Sequence, residues 1–275
     1  MITWLHNFHP QAILFSFGPF QIYWYGLFMV LGILSALLIS FRMTKYYKID
    51  KDKLFDLSFW LIIFGLLGAR LYDVCLQIPY YISNPIAILK IWQGGLAIHG
   101  AIIAGIITSY FFARRHKLSI WTLIALIVPG LAFAQTIGRW GNYFNQELFG
   151  LPTALPWGIP IDLMNRPWAY IASSYFHPTF LYESIGCFLI FLILVFMNIY
   201  LIKTKKLNKY FSVWMVALYM ILYSVLRFTL EFVRIDETPS VLGLRWPQVI
   251  SLFIILISIL ILIFNPHAKT KKDRI

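Results

Sequence analysis

Charged residues are scarce in this chain of 275 residues, because Asp, Glu, Lys and Arg together make up only 12% of it. That is about half the share found in soluble domains. Hydrophobic residues make up 60% and the mean hydropathy is +0.75. One soluble core cannot bury so much apolar surface. The composition excludes an ordinary soluble domain and a disordered chain, and it indicates a polytopic membrane protein.

Cysteine is equally scarce, with only Cys75 and Cys187. A disulfide-rich scaffold is therefore excluded. No cysteine or histidine pair has the spacing of a metal site, so we expect neither a metal nor a cofactor. A Gly-x-Ser-x-Gly elbow is also absent, which disfavours a lipid hydrolase.

Apolar stretches of about 20 residues match the thickness of the membrane hydrocarbon core. They predict an all-α polytopic membrane protein with seven transmembrane helices, and we treat residues 1–275 as a single transmembrane domain. The expected spans cover residues 20–41, 54–77, 95–113, 120–137, 179–202, 210–229 and 246–264.

Basic residues lie mostly on one side of these spans. Of the 23 Lys and Arg residues, 16 fall in the loops at 42–53, 114–117 and 203–209 or in the tail after Phe264. The positive-inside rule predicts that this side and the C-terminus are cytoplasmic and that the N-terminus is outside. The net charge of +12 is thus mainly a topology signal that also favours anionic membrane lipid, and we expect no nucleic-acid binding.

Two segments outside the spans carry their own predictions. Residues 1–18 are expected to form a short amphipathic segment at the outer interface. Residues 138–178 hold five prolines and are expected to form a small extracytoplasmic head. A loop of this length usually has a function.

Ionisable residues at membrane depth cost about 2.5–3.5 kcal/mol each on insertion scales and are candidates for function. Arg70 and Asp73 end the second span, and they form either a structural ion pair or part of a ligand site. His99 follows Gly94 and Gly95 at the start of the third span. It is either a packing residue or an imidazole that a ligand can approach over the glycines.

The sixth predicted span and the residues just after it contain Tyr223, Arg227, Glu231 and Arg234, which share one helical stripe. One carboxylate for two arginines leaves a positive charge for an anion such as a lipid phosphate. The alternative is a ladder of ion pairs that satisfies itself. At the start of the fifth span, Glu183 is either functional or a capping and packing residue.

Residues 138–150 form the densest polar motif. Arg139 offers a forked donor for phosphate oxygens. Asn142 and Asn145 can bind glycerol or ester oxygens. Glu147 is expected to hold Arg139 or Arg227 in position when no substrate is bound. This chemistry predicts a site for an anionic, hydroxyl-bearing lipid headgroup.

The same motif resembles the signature Gly-Arg-x-Gly-Asn-(Phe/Tyr)-x-Asn-x-Glu-x-x-Gly of the prolipoprotein diacylglyceryl transferases. Every fixed position is met, and further matching motifs occur in order at residues 23–26, 68–72, 94–100, 177–183 and 227–234. Three positions depart from the family pattern: Ala125 stands where an acidic residue is common, Phe180 where Gln is usual, and Ala101 where a second Gly is common.

The resemblance implies a multi-pass enzyme of the bacterial inner membrane with its active site at the outer leaflet. Such enzymes transfer the diacylglyceryl group of phosphatidylglycerol to the cysteine thiol in the lipobox of prolipoprotein signal peptides. A thioether forms and glycerol phosphate is released. A transporter or flippase for an anionic lipid or solute is the alternative, but it predicts polar residues in the inner half of the spans, where few occur.

The resemblance also implies roles for individual residues. Arg139 and Arg227 would hold the phosphate and stabilise its growing charge. His99 is the candidate base or proton relay for the thiol, although the arginines alone can lower the thiol pKa. Tyr25 completes the catalytic set. The residues expected to bind phosphatidylglycerol are Arg139, Asn142, Asn145, Glu147, Tyr223, Glu231, Arg234 and Arg70.

Overall fold

The structure is a computed structural model that describes residues 2–18 and 20–264, most of which are helical. The helices are α1 Ile2–Asn7, α2 Trp24–Tyr47, α3 Lys51–Leu76, α4 Ile78–Ser83, α5 Ile98–Arg115, α6 Ile120–Phe144, α7 Thr179–Lys203, α8 Lys209–Leu230 and α9 Trp246–Ile263. Short 3₁₀ turns occur at Pro85–Leu89, Ile91–Gln93, Leu163–Asn165 and Trp168–Tyr170.

Six of these helices, α2, α3 and α6 to α9, are long and apolar enough to cross a membrane. In the most apolar window of α2, only 11% of the residues are buried within the protein, so lipid must cover the rest. The chain is therefore a polytopic integral membrane protein, as its composition predicts. The third predicted span coincides with α5, whose polar start at His99 and basic end at Arg114 and Arg115 make it less apolar. Its crossing remains a prediction.

Helix α6 extends further than predicted, to Phe144 rather than to about residue 137. Pro129 lies inside this helix and lacks the N–H that would bond to the carbonyl oxygen of Ala125. The hydroxyl of Tyr47 donates to that oxygen instead, at 3.3 Å. Half of the 138–150 motif is consequently helical, and the head begins later than expected.

The chain divides into two compact units, Phe41–Leu126 and the combination of Met1–Ser40 with Ile127–Ile275. In the unit Phe41–Leu126, which we call the small unit, α3 packs against α5. Their backbones approach at two glycines, since a Cβ on Gly68 would lie 2.6 Å from the carbonyl oxygen of Gly100. Such close helix packing needs small residues.

The other unit, which we call the large unit, contains the packed helices α7, α8 and α9 and the head. In the head, β3 (Ile159–Pro160) pairs antiparallel with β4 (Tyr175–Phe176). A buried apolar core joins these strands to the ends of α6 and α7. Its members are Leu5, Tyr143, Phe149, Ile159, Ile161, Phe176 and Phe180.

The N-terminal segment differs in detail from the amphipathic segment that we predicted. Leu5 of α1 is only 2% exposed, because it belongs to the core of the head. Residues Ile13–Phe17 form β1, which pairs with β2 (Phe20–Tyr23) in a hairpin before α2. An interfacial position of this segment remains a prediction.

The all-α prediction needs correction outside the long helices. Besides the β1–β2 and β3–β4 pairs, β5 (Ser240–Val241) pairs with β6 (Leu244–Arg245) just before α9. Apart from the β1–β2 hairpin, these ladders have two residues per strand, so they leave little alternating hydrophobic pattern in the sequence.

Candidate functional site

The large unit concentrates its buried charge where α6, α7 and α8 meet the segment before α9. Seven side chains, which we call the arginine–carboxylate cluster, are linked by ion pairs of 2.8–3.9 Å. They are Arg139, Glu183, Arg227, Glu231, Arg234, Asp236 and Arg245. Charge at this depth is costly unless it is paired or used.

Arg139, near the end of α6, is held by three side chains. Its Nη2 lies 2.8 Å from Glu183 Oε1 and donates to the hydroxyl of Tyr223 at 3.3 Å. Its Nη1 donates to Asn142 Oδ1 at 3.3 Å. Asn142 in turn donates to Glu147 Oε1 at 2.7 Å. Glu147 therefore acts on Arg139 through Asn142.

Arg227 keeps an unused donor. Its Nη2 lies 3.1 Å from Glu231 Oε2. Its Nη1 is buried and has no hydrogen-bond partner in the described part of the chain. An unsatisfied buried guanidinium N–H is costly, and a phosphate oxygen is a suitable acceptor for it.

Arg234 and Arg245 are paired with carboxylates of the cluster. Arg234 is 6% exposed and lies 2.8 Å from Asp236 and 3.9 Å from both Glu183 and Glu231. Arg245 lies 3.0 Å from Glu231 and donates to the backbone carbonyls of residues 234 and 236. Of the two arginines on the predicted stripe, Arg234 takes part in a ladder of ion pairs with carboxylates. Arg227 is the one that keeps a free donor for an anion.

The 138–150 motif leaves the helix in a tight turn that presents Glu147. Gln146 and Leu148 have positive φ angles of 50° and 56°. The buried Gln146 side chain donates to the Pro10 carbonyl at 2.9 Å and to Asp162 Oδ2 at 2.6 Å. These bonds fasten the turn to the head and leave Glu147 exposed.

Tyr25 and Asn145 lie beside the same helix end. A Cβ on Gly141 would meet the Tyr25 ring at 2.8 Å, so this glycine makes room for the tyrosine. Asn145 is half-buried, and its backbone N–H bonds to the Gly141 carbonyl at 3.0 Å. Phe180, which replaces the usual Gln, stacks on Tyr143 at 4.5 Å in the head core, so this departure is absorbed by packing.

Arg70 belongs to the small unit, where backbone carbonyls occupy its guanidinium. Its three nitrogens donate over 2.5–2.9 Å to the carbonyl oxygens of Ala87, Ile88, Gly94 and Gly95. Asp73 lies 3.9 Å from it and accepts from the Tyr81 hydroxyl at 2.7 Å, a bond that raises the pKa of Tyr81. This geometry favours the structural alternative for Arg70.

His99 also belongs to the small unit, at the start of α5. Its exposed ring lies 5.9 Å from that of Tyr72. Gly95 shapes the turn before His99. It has φ +72°, and a Cβ at this position would overlap the Arg70 guanidinium, so the turn requires glycine. The start of α5 is bonded to α3, because the Ala97 N–H donates to the Ala69 carbonyl at 3.1 Å.

The structure thus gathers most of the predicted site residues in the large unit. It places Glu183, for which the sequence left a functional and a packing role open, against Arg139. It also adds Arg245 and Asp236, which the sequence analysis did not single out. Arg245 stands immediately before a span. Asp236 has no distinguishing sequence signal, because only folding brings it to Arg234. In the described residues, no three His, Cys, Asp or Glu side chains are grouped to hold a metal ion.

A polytopic membrane protein with a buried arginine cluster and a spare guanidinium donor is the class that the fold and site define. The chain matches the profile of the family described as prolipoprotein diacylglyceryl transferase over residues 12–264. This chain belongs to the prolipoprotein diacylglyceryl transferase family.

Individual relatives support the same assignment. A protein of Synechococcus elongatus is 42% identical over 256 residues, covering 93% of this chain and 87% of the relative. One of Synechocystis is 39% identical over 249 residues (90% and 87%), and one of Staphylococcus haemolyticus is 38% identical over 269 residues (96% and 91%). All three are named phosphatidylglycerol–prolipoprotein diacylglyceryl transferase. The resemblance found in the sequence is confirmed, and the transporter alternative is not supported.

Proposed function

We propose that this enzyme transfers the diacylglyceryl group of phosphatidylglycerol to the thiol of a lipobox cysteine in a prolipoprotein signal peptide. Glycerol phosphate is the second product. The observation that carries the proposal is the pair Arg139 and Arg227 in a cluster built on the family signature, with one buried donor of Arg227 still free.

The reaction is a displacement at carbon. The thiolate sulfur attacks the glyceryl carbon that bears the phosphate ester, so a C–S bond forms while the C–O bond breaks. The electron pair of the broken bond stays on the phosphate oxygen, and the thiol proton leaves to a base. Arg139 and Arg227 stabilise the charge that grows on the phosphate.

The remaining residues bind or order the lipid. Asn142, Asn145 and Glu147 take the glycerol hydroxyls, because amide and carboxylate groups together offer donors and acceptors. Tyr25 and Tyr223 present hydroxyls beside them. Three predicted binding residues act indirectly. Glu231 and Arg234 act through ion pairs within the cluster, and Arg70 acts through its bonds to backbone carbonyls.

His99 is the candidate acceptor of the thiol proton. Its exposure and the two glycines before it support this role. His99→Gln removes the base while keeping a polar side chain, so turnover is expected to fall most near neutral pH. Near-normal turnover would assign thiolate formation to the arginines instead.

The proposed location combines what the family resemblance implies about the membrane with the orientation that the charge distribution favours. We place the protein in the bacterial inner membrane with seven spans, the N-terminus outside and the C-terminus in the cytoplasm. The head and the arginine–carboxylate cluster then face the outer leaflet, where translocated signal peptides and phosphatidylglycerol meet.

The decisive experiment is a transfer assay with purified protein, phosphatidylglycerol and a lipobox peptide. The peptide should gain the mass of one diacylglyceryl group, and a peptide with Cys→Ser should gain nothing. A modified Ser peptide would contradict the thioether chemistry. Arg227→Ala should abolish transfer, since no donor replaces the guanidinium, while the protein still inserts. Wild-type activity in that variant would remove the phosphate role of Arg227.

A further inference from the structure

Glu183 is a buried carboxylate that neither the sequence nor the proposed reaction assigns to substrate. It lies in the second turn of α7 and is 2% exposed. Its Oε1 lies 2.8 Å from Arg139 and accepts from the Tyr223 hydroxyl at 3.2 Å. Its Oε2 lies 3.9 Å from Arg234. One side chain therefore connects α6, α8 and the segment before α9.

These contacts have a geometric consequence. A guanidinium is planar, so fixing Nη2 by Glu183 and Tyr223 and Nη1 by Asn142 fixes the direction of its remaining donors. Arg139 is thereby oriented before the lipid arrives, and orientation that precedes binding lowers the barrier to reaction.

The contacts also have an electrostatic consequence. The cluster contains four arginines and three carboxylates, which leaves one net positive charge. The phosphodiester of phosphatidylglycerol carries one negative charge and matches it. Glycerol phosphate is a monoester with a second pKa of about 6, so it leaves with nearly two negative charges at neutral pH. A more positive cluster would strengthen the binding of this product more than the binding of the substrate.

We propose that Glu183 is a positioning and charge-balancing residue, which orients Arg139 and keeps the site from retaining glycerol phosphate. The inference rests on the proposed transferase reaction. The carboxylate of Glu183 is already engaged by Arg139 and Tyr223 through Oε1 and lies 3.9 Å from Arg234 through Oε2. Its single negative charge acts on whatever anion the arginines bind.

The test is Glu183→Gln in the full-length protein in detergent. Glutamine keeps an oxygen for Tyr223 and Arg139 but removes the charge. The variant cluster is one unit more positive. This added charge acts on the single negative charge of phosphatidylglycerol, so the KM should fall about fivefold. It acts on nearly two negative charges of glycerol phosphate, so the Kd should fall about 25-fold. Turnover should fall, and a rapid-quench experiment should show a burst of lipidated peptide followed by slow release.

Two variants separate charge from orientation. Glu183→Asp keeps the charge but shortens the side chain, so both affinities should stay near the wild-type values while kcat falls. Glu237→Gln removes an exposed carboxylate from the same unit, and it should leave binding and turnover unchanged. A purely structural role of Glu183 would lower stability without tightening either affinity.

A measurement on the unmodified protein keeps the proposal testable if the Gln variant does not fold. Wild-type protein, whose cluster keeps one net positive charge, should bind glycerol phosphate no more than about fivefold more tightly than its methyl ester, a monoanion. A strong preference for the dianion, or equal glycerol phosphate affinity in wild type and Glu183→Gln, would overturn the proposal. If wild type neither binds glycerol phosphate nor lipidates the peptide, the proposed function itself fails.

Discussion

Among single residues, the arginines differ in how completely their donors are used. Arg227 keeps a buried N–H without a partner in the described chain, whereas Arg70 donates from all three nitrogens to backbone carbonyls. A guanidinium with spare donors is equipped for a ligand, while one saturated by the backbone organises the chain around it. Both residues are arginines, so the difference in their roles comes from their surroundings.

Arg70→Lys tests this distinction. Lysine keeps the charge but cannot reach the carbonyls of Ala87 and Ile88 and those of Gly94 and Gly95 at once. Each unsatisfied buried group costs about 1–3 kcal/mol. We expect a lower melting temperature in detergent, measured by thermal unfolding, with the KM for phosphatidylglycerol little changed in the remaining folded protein. An unchanged melting temperature with a raised KM would instead support the prediction that Arg70 binds lipid.

At the scale of helices and loops, the contact between α3 and α5 depends on two glycines. A Cβ on Gly100 would overlap the carbonyl of Gly68 and lie 2.5 Å from the Tyr72 Cβ, so the helices must separate to accept it. Because α5 begins at Ile98, any such shift also moves His99.

Gly100→Ala is therefore expected to destabilise the protein by about 1–3 kcal/mol, the usual cost of overpacking. Thermal or denaturant unfolding in detergent measures the change. Gly105→Ala on the same helix is the matched control, since its nearest neighbour would be Leu61 at 3.9 Å. Equal stability of the two variants would show that the close approach is not required.

The segment that enters α7 contains a titratable group outside the spans. Burial lowers the pKa of His177, whose Nδ1 lies 3.1 Å from the Tyr182 hydroxyl. The folded state therefore prefers the neutral imidazole, while the unfolded chain protonates it below about pH 6.5. Stability from this group is present above that pH and is lost as the pH falls towards the lower folded pKa.

His177→Gln should weaken this pH dependence. The melting temperatures of wild type and His177→Gln are compared at pH 7.5 and 5.5. Other titrating groups lower both melting temperatures at the lower pH, but the fall should be smaller in the variant. Parallel falls would show that protonation of His177 is not linked to folding.

At the scale of the whole molecule, the orientation in the membrane depends on α5. Among the residues that the structure describes, six helices are apolar enough to span. A seventh crossing by α5 would place the two termini on opposite sides. We expect a reporter inserted between α5 and α6, at Lys117, to be cytoplasmic, as the basic residues of that turn require. A reporter found on the outer side of the membrane would contradict the seven-span topology.

The sequence is most informative where the signal is local. A motif of contiguous residues contains Arg139, Asn142 and Glu147, and their order already indicates an anion site. The end of α6 was misplaced because Gly138 and Gly141 weaken the helical pattern, while the head packs against that turn and stabilises it. Glu183 stayed ambiguous, since a carboxylate at a helix start suits both capping and ion pairing.

The sequence by itself determined the membrane class, six of the spans and the family, because long apolar runs and a contiguous motif are visible along the chain. Tertiary structure decided which arginines are saturated and which keeps a free donor. It also joined Glu183, Asp236 and Arg245 to the site. These outcomes depend on distances between residues far apart in sequence, which only the packing of the helices and the head establishes.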